Sequence, residues 1–136
     1  MRNDIGFQRV HGITLIELMI VVVVVAILAS IAVPSYRSYM IRTQRTDAMA
    51  ALLRLSAAQE KFYLQNNTYT DDESKVGGAA SEHGWYAIEI TAADANGFSA
   101  KATPVVGGPQ AKDTHCPSFT IDETGKREAA NDDCWR

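Results

Sequence analysis

The sequence predicts an α+β protein in which one long N-terminal helix packs under a small antiparallel sheet. Two observations carry this prediction: helical features run through the first half of the chain, and alternating β-type runs occupy the second half. A length of 136 residues suffices for one modest core, which excludes a large enzyme. With 46% hydrophobic and 21% charged residues, the chain is not generically disordered.

An apolar segment of 21 residues, 13–33, contains a single charged side chain, Glu17. As a helix it would be about 31 Å long, which is enough to cross a bilayer. The segment is longer than the apolar region of a secretory signal, and no convincing small-residue cleavage site follows it. We therefore expect it to remain in the mature protein as a membrane helix, where the backbone satisfies its own hydrogen bonds.

Pro34 ends the apolar segment, and a proline at this place either kinks a helix or terminates it. Residues 36–64 lack glycine and proline and repeat apolar side chains every three to four positions, which favours a kinked, continuous helix ending near Gln65. One stripe should face a core while basic side chains cover the remaining surface. The expected core residues are Ala48, Met49, Ala51, Leu52, Leu55, Ala58 and Phe62, and the expected surface residues are Arg37, Arg42, Arg45, Arg54 and Lys61.

The second half of the chain contains the predicted sheet. A polar, glycine-containing stretch, 68–84, is typical of a connecting loop. Strands are predicted over 85–91, 98–103 and 118–121, with a hairpin turn at 95–97 between the first two. The apolar face of this three-stranded sheet can cover the apolar stripe of the helix.

Charge and cysteine content give opposite indications for the orientation of the membrane segment. Three arginines that follow it, Arg37, Arg42 and Arg45, would place the C-terminal part in the cytoplasm. The two cysteines, Cys116 and Cys134, suit an oxidising compartment, where a bridge would contribute roughly 3 kcal/mol. The alternative is a pair of free buried thiols. We expect the C-terminal part to lie outside.

Glu17 is unusual because a carboxylate inside an apolar segment needs a partner. Cleavage between Gly12 and Ile13 would supply one, since the new α-amine has a reference pKa near 8 and is mostly cationic at neutral pH. If the leader is kept instead, Glu17 would lie hydrated near the membrane interface. The residues themselves leave both alternatives open.

The sequence from Gly12 to Glu17, with its polar leader and the aliphatic run up to Pro34, resembles the N-terminus of type IV pilins and pseudopilins. The resemblance implies that a membrane-embedded prepilin peptidase cuts after Gly12 and methylates Ile13. It also implies that Glu17 neutralises the N-terminal amine of an adjacent subunit during assembly.

The resemblance extends over the whole chain and implies the pilin fold. The 62–70 stretch and the segment from Cys116 to Trp135 look most like the short PilE-type minor pilins, in which the cysteines bracket the D-region loop. The implied organisation is a cleaved leader at 1–12, a membrane and filament-core helix at 13–35, an amphipathic helix at 36–66, and the sheet with its cysteine-bounded loop at 67–136.

No catalytic set is visible in the sequence, and we expect neither enzymatic activity nor a cofactor. The histidines, at positions 11, 83 and 115, are scattered, and no nucleophile or nucleotide-binding motif is present. Two acidic runs, 71–73 and 131–133, could offer oxygen ligands to a hard cation, but their spacing is not that of a calcium loop. We expect no metal.

These expectations combine into one function with two alternatives. The chain is predicted to be a structural subunit, a minor pilin, of a type IV pilus for adhesion, motility or DNA uptake. Its implied partners are other pilins, the prepilin peptidase, the inner-membrane assembly machinery and, before assembly, membrane lipid. Its implied location is the bacterial inner membrane with a periplasmic head, then the extracellular pilus.

The alternatives are a pseudopilin of type II secretion and a pilus-borne DNA receptor. Nucleic acid is possible but not favoured, because residues 62–136 carry six basic and twelve acidic side chains.

Overall fold

A computed structural model describes residues 12–136, so the predicted leader lies almost entirely outside the described residues. The chain divides into two compact units, Met1–Arg37 and Ser38–Arg136. A single helix, α1 (Leu15–Asn66), begins in the first unit and ends in the second. It continues through Pro34, which excludes termination there, while the kink stays a prediction.

In the first unit, α1 presents its apolar side chains to the surroundings. From Ile13 to Val33, each large apolar residue is at least 47% exposed. Among the described residues, α1 is the helix long and apolar enough to cross a membrane, with a mean hydropathy of 3.0 in its most apolar window and none of that window buried. Such a surface requires lipid or other apolar helices around it.

The second unit, which we call the head, is built on the C-terminal half of α1. The expected apolar stripe is present: Ala48, Ala51, Leu52 and Leu55 are buried, and Met49, Ala58 and Phe62 pack against them half-buried. Three polar side chains, those of Arg45, Asp47 and Gln59, are also buried. The prediction that Arg45 lies on the surface is therefore wrong.

The helix ends at Asn66 because Asn67 adopts a left-handed backbone with φ of 54°. Asparagine tolerates this conformation better than most residues. The chain then turns back onto the helix, where buried Gln59 holds the backbone of Thr70 by two hydrogen bonds. Its Nε2 donates to the Thr70 carbonyl at 2.6 Å, and its Oε1 accepts from the Thr70 amide at 3.0 Å.

The sheet is antiparallel in the order β1 (Tyr86–Ala93), β2 (Phe98–Pro104), β3 (Phe119–Asp122) and β4 (Arg127–Ala129). The predicted α+β fold is confirmed, but the sheet has four strands rather than three. β4 was not predicted because three residues are too few to show an alternating pattern. Side chains that alternate along β1, β2 and β3 form the buried face, namely Tyr86, Ile88, Ile90, Phe98, Ala100, Ala102, Phe119 and Ile121.

Candidate functional site

The N-terminus of α1 contains the residues for which processing and assembly roles are predicted. Gly12 precedes the helix and is exposed, Ile13 is 75% exposed, and Glu17 lies exposed in the first turn. The Thr14 Oγ1 accepts a hydrogen bond of 3.3 Å from the Glu17 amide. Thr14 and Glu17 therefore have the spacing of a capping box, a signal that the sequence contained and our interpretation missed.

A carboxylate in the first turn interacts favourably with the positive end of the helix dipole. Glu17 is the acidic residue of that turn and, within 13–36, the only charged one. Its side chain is therefore partly compensated by its own helix and remains accessible to a cation from outside.

The two cysteines form the disulfide Cys116–Cys134, with Cα atoms 5.8 Å apart and a sequence separation of 18. The alternative of two free thiols is wrong. Beside the bridge, His115 contacts Asp133, with Nε2 at 2.9 and 3.0 Å from the two carboxylate oxygens. The Asn131 side chain donates to the His115 carbonyl at 2.6 Å. These contacts fasten the two ends of the loop that contains β3 and β4.

Several potential metal donors in the head take part in other interactions. His115 and the sulfurs of Cys116 and Cys134 lie within 4.8 Å of one another. Both sulfurs are in the disulfide and are not available as thiolate ligands. In the first acidic run, Asp72 accepts from the Ser74 amide and Glu73 from the Ile90 amide.

A buried ion pair joins α1 to the residues that directly precede the cysteine-bounded loop. Arg45 donates from Nε and Nη2 to the two carboxylate oxygens of Asp113, at 2.6 and 2.9 Å. The same carboxylate accepts from the Cys116 amide at 3.2 Å. Arg45 is 8% and Asp113 5% exposed. The prediction that Arg45 lies on the surface is wrong because its partner Asp113 is 68 residues away in the sequence. No local sequence pattern indicates a partner at that distance.

A second buried polar contact holds the segment before that loop. Gln110 is completely buried, and its Oε1 accepts from the Tyr86 hydroxyl at 3.1 Å while its Nε2 donates to the Ile41 carbonyl at 3.3 Å. Burial raises the pKa of the Tyr86 phenol, so this hydroxyl remains a donor throughout the physiological range. The residues after β2 are thereby fixed against α1.

A third polar cluster lies where the loop before β1 meets the helix. The buried Asp47 carboxylate is 3.0 Å from Nδ1 of His83, whose ring stacks on Trp85 with centroids 4.6 Å apart. Burial by itself would raise the pKa of Asp47, but the nearby Ser81 side chain and the contacts with His83 outweigh it and hold that pKa below its usual value. Asp47 is therefore ionised at neutral pH.

The basic side chains of the head differ in their pairing. Arg54 is paired with Glu82, Lys75 with Asp72 and Lys126 with Glu128. Arg42 and Lys112 are exposed and flank a shallow depression of about 260 Å³ that His115 also lines. Neither has an ion-pair partner among the described residues, so this depression carries uncompensated positive charge at its edge. The described residues of the head therefore combine a cross-linked framework with a small basic surface.

Both the N-terminal segment and the rest of the chain match known protein families. Residues 34–120 match a family model described as "Type IV minor pilin ComP, DNA uptake sequence receptor", and residues 7–33 match the prokaryotic N-terminal methylation motif. The fimbrial protein EcpC of Eikenella corrodens is 36% identical over 106 residues, which cover 74% of this chain and 69% of that protein. The major pilin PilA of Myxococcus xanthus is 36% identical over 85 residues, covering 62% of this chain and 39% of PilA.

The fold agrees with these matches. The crystal structure of the non-core minor pilin PilV of Neisseria meningitidis aligns with a TM-score of 0.55 at 21% identity, over 69% of this chain and 90% of that one. The matches to the family models, the EcpC similarity and the exposed apolar helix confirm the predicted relationship and function. The chain belongs to the type IV pilin family, and it is a structural subunit that assembles with other pilins into a pilus filament.

Proposed function

We propose that this pilin is made as a precursor that prepilin peptidase cleaves between Gly12 and Ile13, with methylation of the new Ile13 amine. The observation that supports this most directly is the position of Glu17, the single charged side chain on an otherwise apolar and exposed helix surface. The match of residues 7–33 to the N-terminal methylation motif supports the same processing.

Glu17 acts as the assembly residue in this proposal. An ionised carboxylate costs about 2.5–3.5 kcal/mol at the bilayer centre. The cost is smaller for Glu17, which lies in the first turn of α1, and the helix end offsets part of it. The cationic amine of a neighbouring Ile13 offsets more, because the pair is shielded from water by the apolar helices. A correctly placed neighbour is therefore favoured over lipid.

The apolar helix and the disulfide of the head support the proposed location. Before assembly, the apolar half of α1 lies in inner-membrane lipid and the head in the periplasm, where the Cys116–Cys134 bridge can form. The inner-membrane assembly machinery then transfers the subunit to the extracellular pilus. We propose a minor subunit, since both the matched family description and the PilV structure concern minor pilins.

Replacing Glu17 tests this proposal in the cell that makes the pilus. Glu17→Val should leave membrane insertion intact and lower recovery in sheared filaments, because it removes the partner of the amine. Glu17→Asp keeps the charge on a shorter side chain and should recover part of the incorporation. Equal amounts of Glu17→Val and wild-type protein in sheared filaments would contradict the pairing role.

DNA binding is a second candidate function, favoured by the family model that matches residues 34–120. The exposed Arg42 and Lys112 at the basic depression are the side chains best placed to contact phosphates. Their small number, in a head rich in acidic side chains, makes a structural role the better supported of the two. If they bind DNA, the affinity should fall with salt, by a log–log slope of about −0.9 for each phosphate contact.

The DNA hypothesis is tested by titrating the full chain in detergent with duplex DNA at several salt concentrations. Arg42→Gln with Lys112→Gln should lower the salt slope by about two, whereas Lys61→Gln, another exposed cation on α1, should leave it unchanged. If no binding is detected at low salt, the DNA-receptor hypothesis is refuted. The role as a structural pilus subunit does not depend on this result.

A further inference from the structure

The residues that follow the apolar segment change from aromatic to basic along α1. The segment 13–33 is followed by Tyr36 and Tyr39, which are 64% and 60% exposed, and then by the exposed Arg42. Tyrosines are enriched where a membrane helix meets the lipid headgroups, and basic side chains beside such helices attract anionic lipid. This order is typical of a helix that emerges from a membrane.

Two cations of the head lie together without an acidic partner. Arg45 is paired with Asp113 inside the head, so its charge is compensated. Arg42 from α1 and Lys112 from the segment after β2 line the depression described above, and the described part of the chain supplies neither with an ion pair. The depression can therefore accept one anionic group between these two side chains.

The depression also has the donors that a phosphate group requires. Thr114 and His115 line it beside Arg42 and Lys112, within a volume of about 260 Å³. The acidic Asp133 nearby is engaged by His115, with 2.9 Å between its carboxylate and Nε2. Guanidinium, ammonium and hydroxyl groups all donate to phosphate oxygens. Phosphate is therefore the ligand chemistry to which this depression is complementary.

We propose that the depression binds the phosphate of an anionic phospholipid while the subunit is in the membrane. Arg42 lies nine residues beyond Val33 on the same helix, and its Cα–Cβ bond tilts toward the N-terminal end of that helix, where the apolar segment lies. DNA offers the same phosphate chemistry, but lipid is favoured because the apolar segment and the two tyrosines bring headgroups to this part of α1.

This contact rests on the membrane location proposed above and adds a lipid site to it. It also accounts for the arginines that follow the apolar segment, which by charge alone indicate a cytoplasmic head. Of these, Arg45 is neutralised by Asp113, and Arg42 would be neutralised by a lipid phosphate.

The lipid preference of the full chain in detergent tests this contact. The affinity for the first bound lipid is measured by native mass spectrometry, with anionic phosphatidylglycerol and with zwitterionic phosphatidylcholine. Each cation near anionic lipid is worth about fivefold in binding, so Arg42→Gln with Lys112→Gln should lower the preference for phosphatidylglycerol about 25-fold. Lys61→Gln with Lys126→Gln removes two exposed cations that do not line the depression and should keep the wild-type preference. An unchanged preference in the first double variant would overturn the proposal, as would an equal loss in both.

Proximity to headgroups in a bilayer provides an independent measure. Ala111→Cys, beside Lys112, and Asn96→Cys, in the exposed turn between β1 and β2, are each labelled with a fluorescent maleimide, which spares the bonded native cysteines. The full chain is placed in nanodiscs whose lipids carry a nitroxide quencher on the headgroup. The label at position 111 should be quenched more in phosphatidylglycerol than in phosphatidylcholine discs, and the label at position 96 equally in both. Quenching at position 111 that does not depend on the lipid would refute the contact, whereas a chain that does not enter nanodiscs would refute the membrane location itself.

DNA is the competing source of phosphate, and the same variants distinguish it from lipid. Duplex DNA binding that Arg42→Gln with Lys112→Gln abolishes, in a chain without preference for phosphatidylglycerol, would assign the depression to nucleic acid and overturn the lipid contact.

Discussion

Replacing Arg45 with methionine should strongly destabilise the head, although a sequence-based interpretation places this arginine on the surface. The substitution keeps an unbranched apolar stem but removes the guanidinium, so Asp113, 5% exposed, is left without its cation. Breaking a buried pair by removing one partner costs about 3–5 kcal/mol, because the remaining charge stays buried and uncompensated. At about 4–8 °C per kcal/mol, the melting temperature should fall by about 12–40 °C.

The double variant Arg45→Met with Asp113→Leu separates charge burial from packing. It removes both charges, and replacing a buried pair by apolar side chains is often neutral or stabilising. Here recovery should be incomplete, because the Cys116 amide loses its acceptor at Asp113, a loss worth about 1–3 kcal/mol. The double variant should therefore be more stable than Arg45→Met and less stable than wild type.

Urea unfolding of the full chain in detergent measures these differences. Both tryptophans, Trp85 and Trp135, lie in the head, so their fluorescence follows this unit. Arg54→Met is the matched control, since its pair with Glu82 is solvent-exposed and should contribute little. If Arg45→Met and Arg54→Met unfold at the same urea concentration, the buried pair does not stabilise the head and the reasoning is refuted.

Three further predictions concern the head. Cys116→Ser should lower its unfolding free energy by about 2–4 kcal/mol, and an unchanged non-reducing melting curve would contradict this. The lowered pKa of Asp47 stabilises the head above the unfolded value of about 3.9, and this contribution is lost as the pH falls through the folded value. The difference in unfolding free energy between wild type and Asp47→Asn should therefore shrink below about pH 4 when urea unfolding is repeated at several pH values. A difference that stays constant with pH would show that ionisation of Asp47 does not stabilise the head. Gln59→Ala should speed hydrogen exchange at the Thr70 amide, its partner at 3.0 Å, and unchanged exchange would show that this bond does not limit opening.

Local patterns in the sequence predict the elements that local physics determines. The apolar period of α1 identifies Ala48, Leu52 and Leu55 as core residues, and alternation identifies β1 and β2 to within two residues at each end. The motif from Gly12 to Glu17 indicates the family, because its residue types and order are specific. These features need no knowledge of distant partners.

The polar framework of the head could not be predicted in this way. Arg45 and Asp113 are 68 residues apart, and Gln110 reaches the Ile41 carbonyl 69 residues away. A charged or amide side chain on a helix is ordinarily solvated, so its burial depends on a partner that only the tertiary structure brings near. The short strand β4 similarly depends on its pairing with β3 rather than on its own three residues.

The intact mass of the protein extracted from native cell envelopes, with and without reduction, tests the proposed processing most directly. We predict a chain that starts at Ile13, carries one added methyl group and gains two hydrogens on reduction of the Cys116–Cys134 bridge. A mass that includes residues 1–12 would contradict it, because Glu17 would then have no Ile13 amine with which to pair.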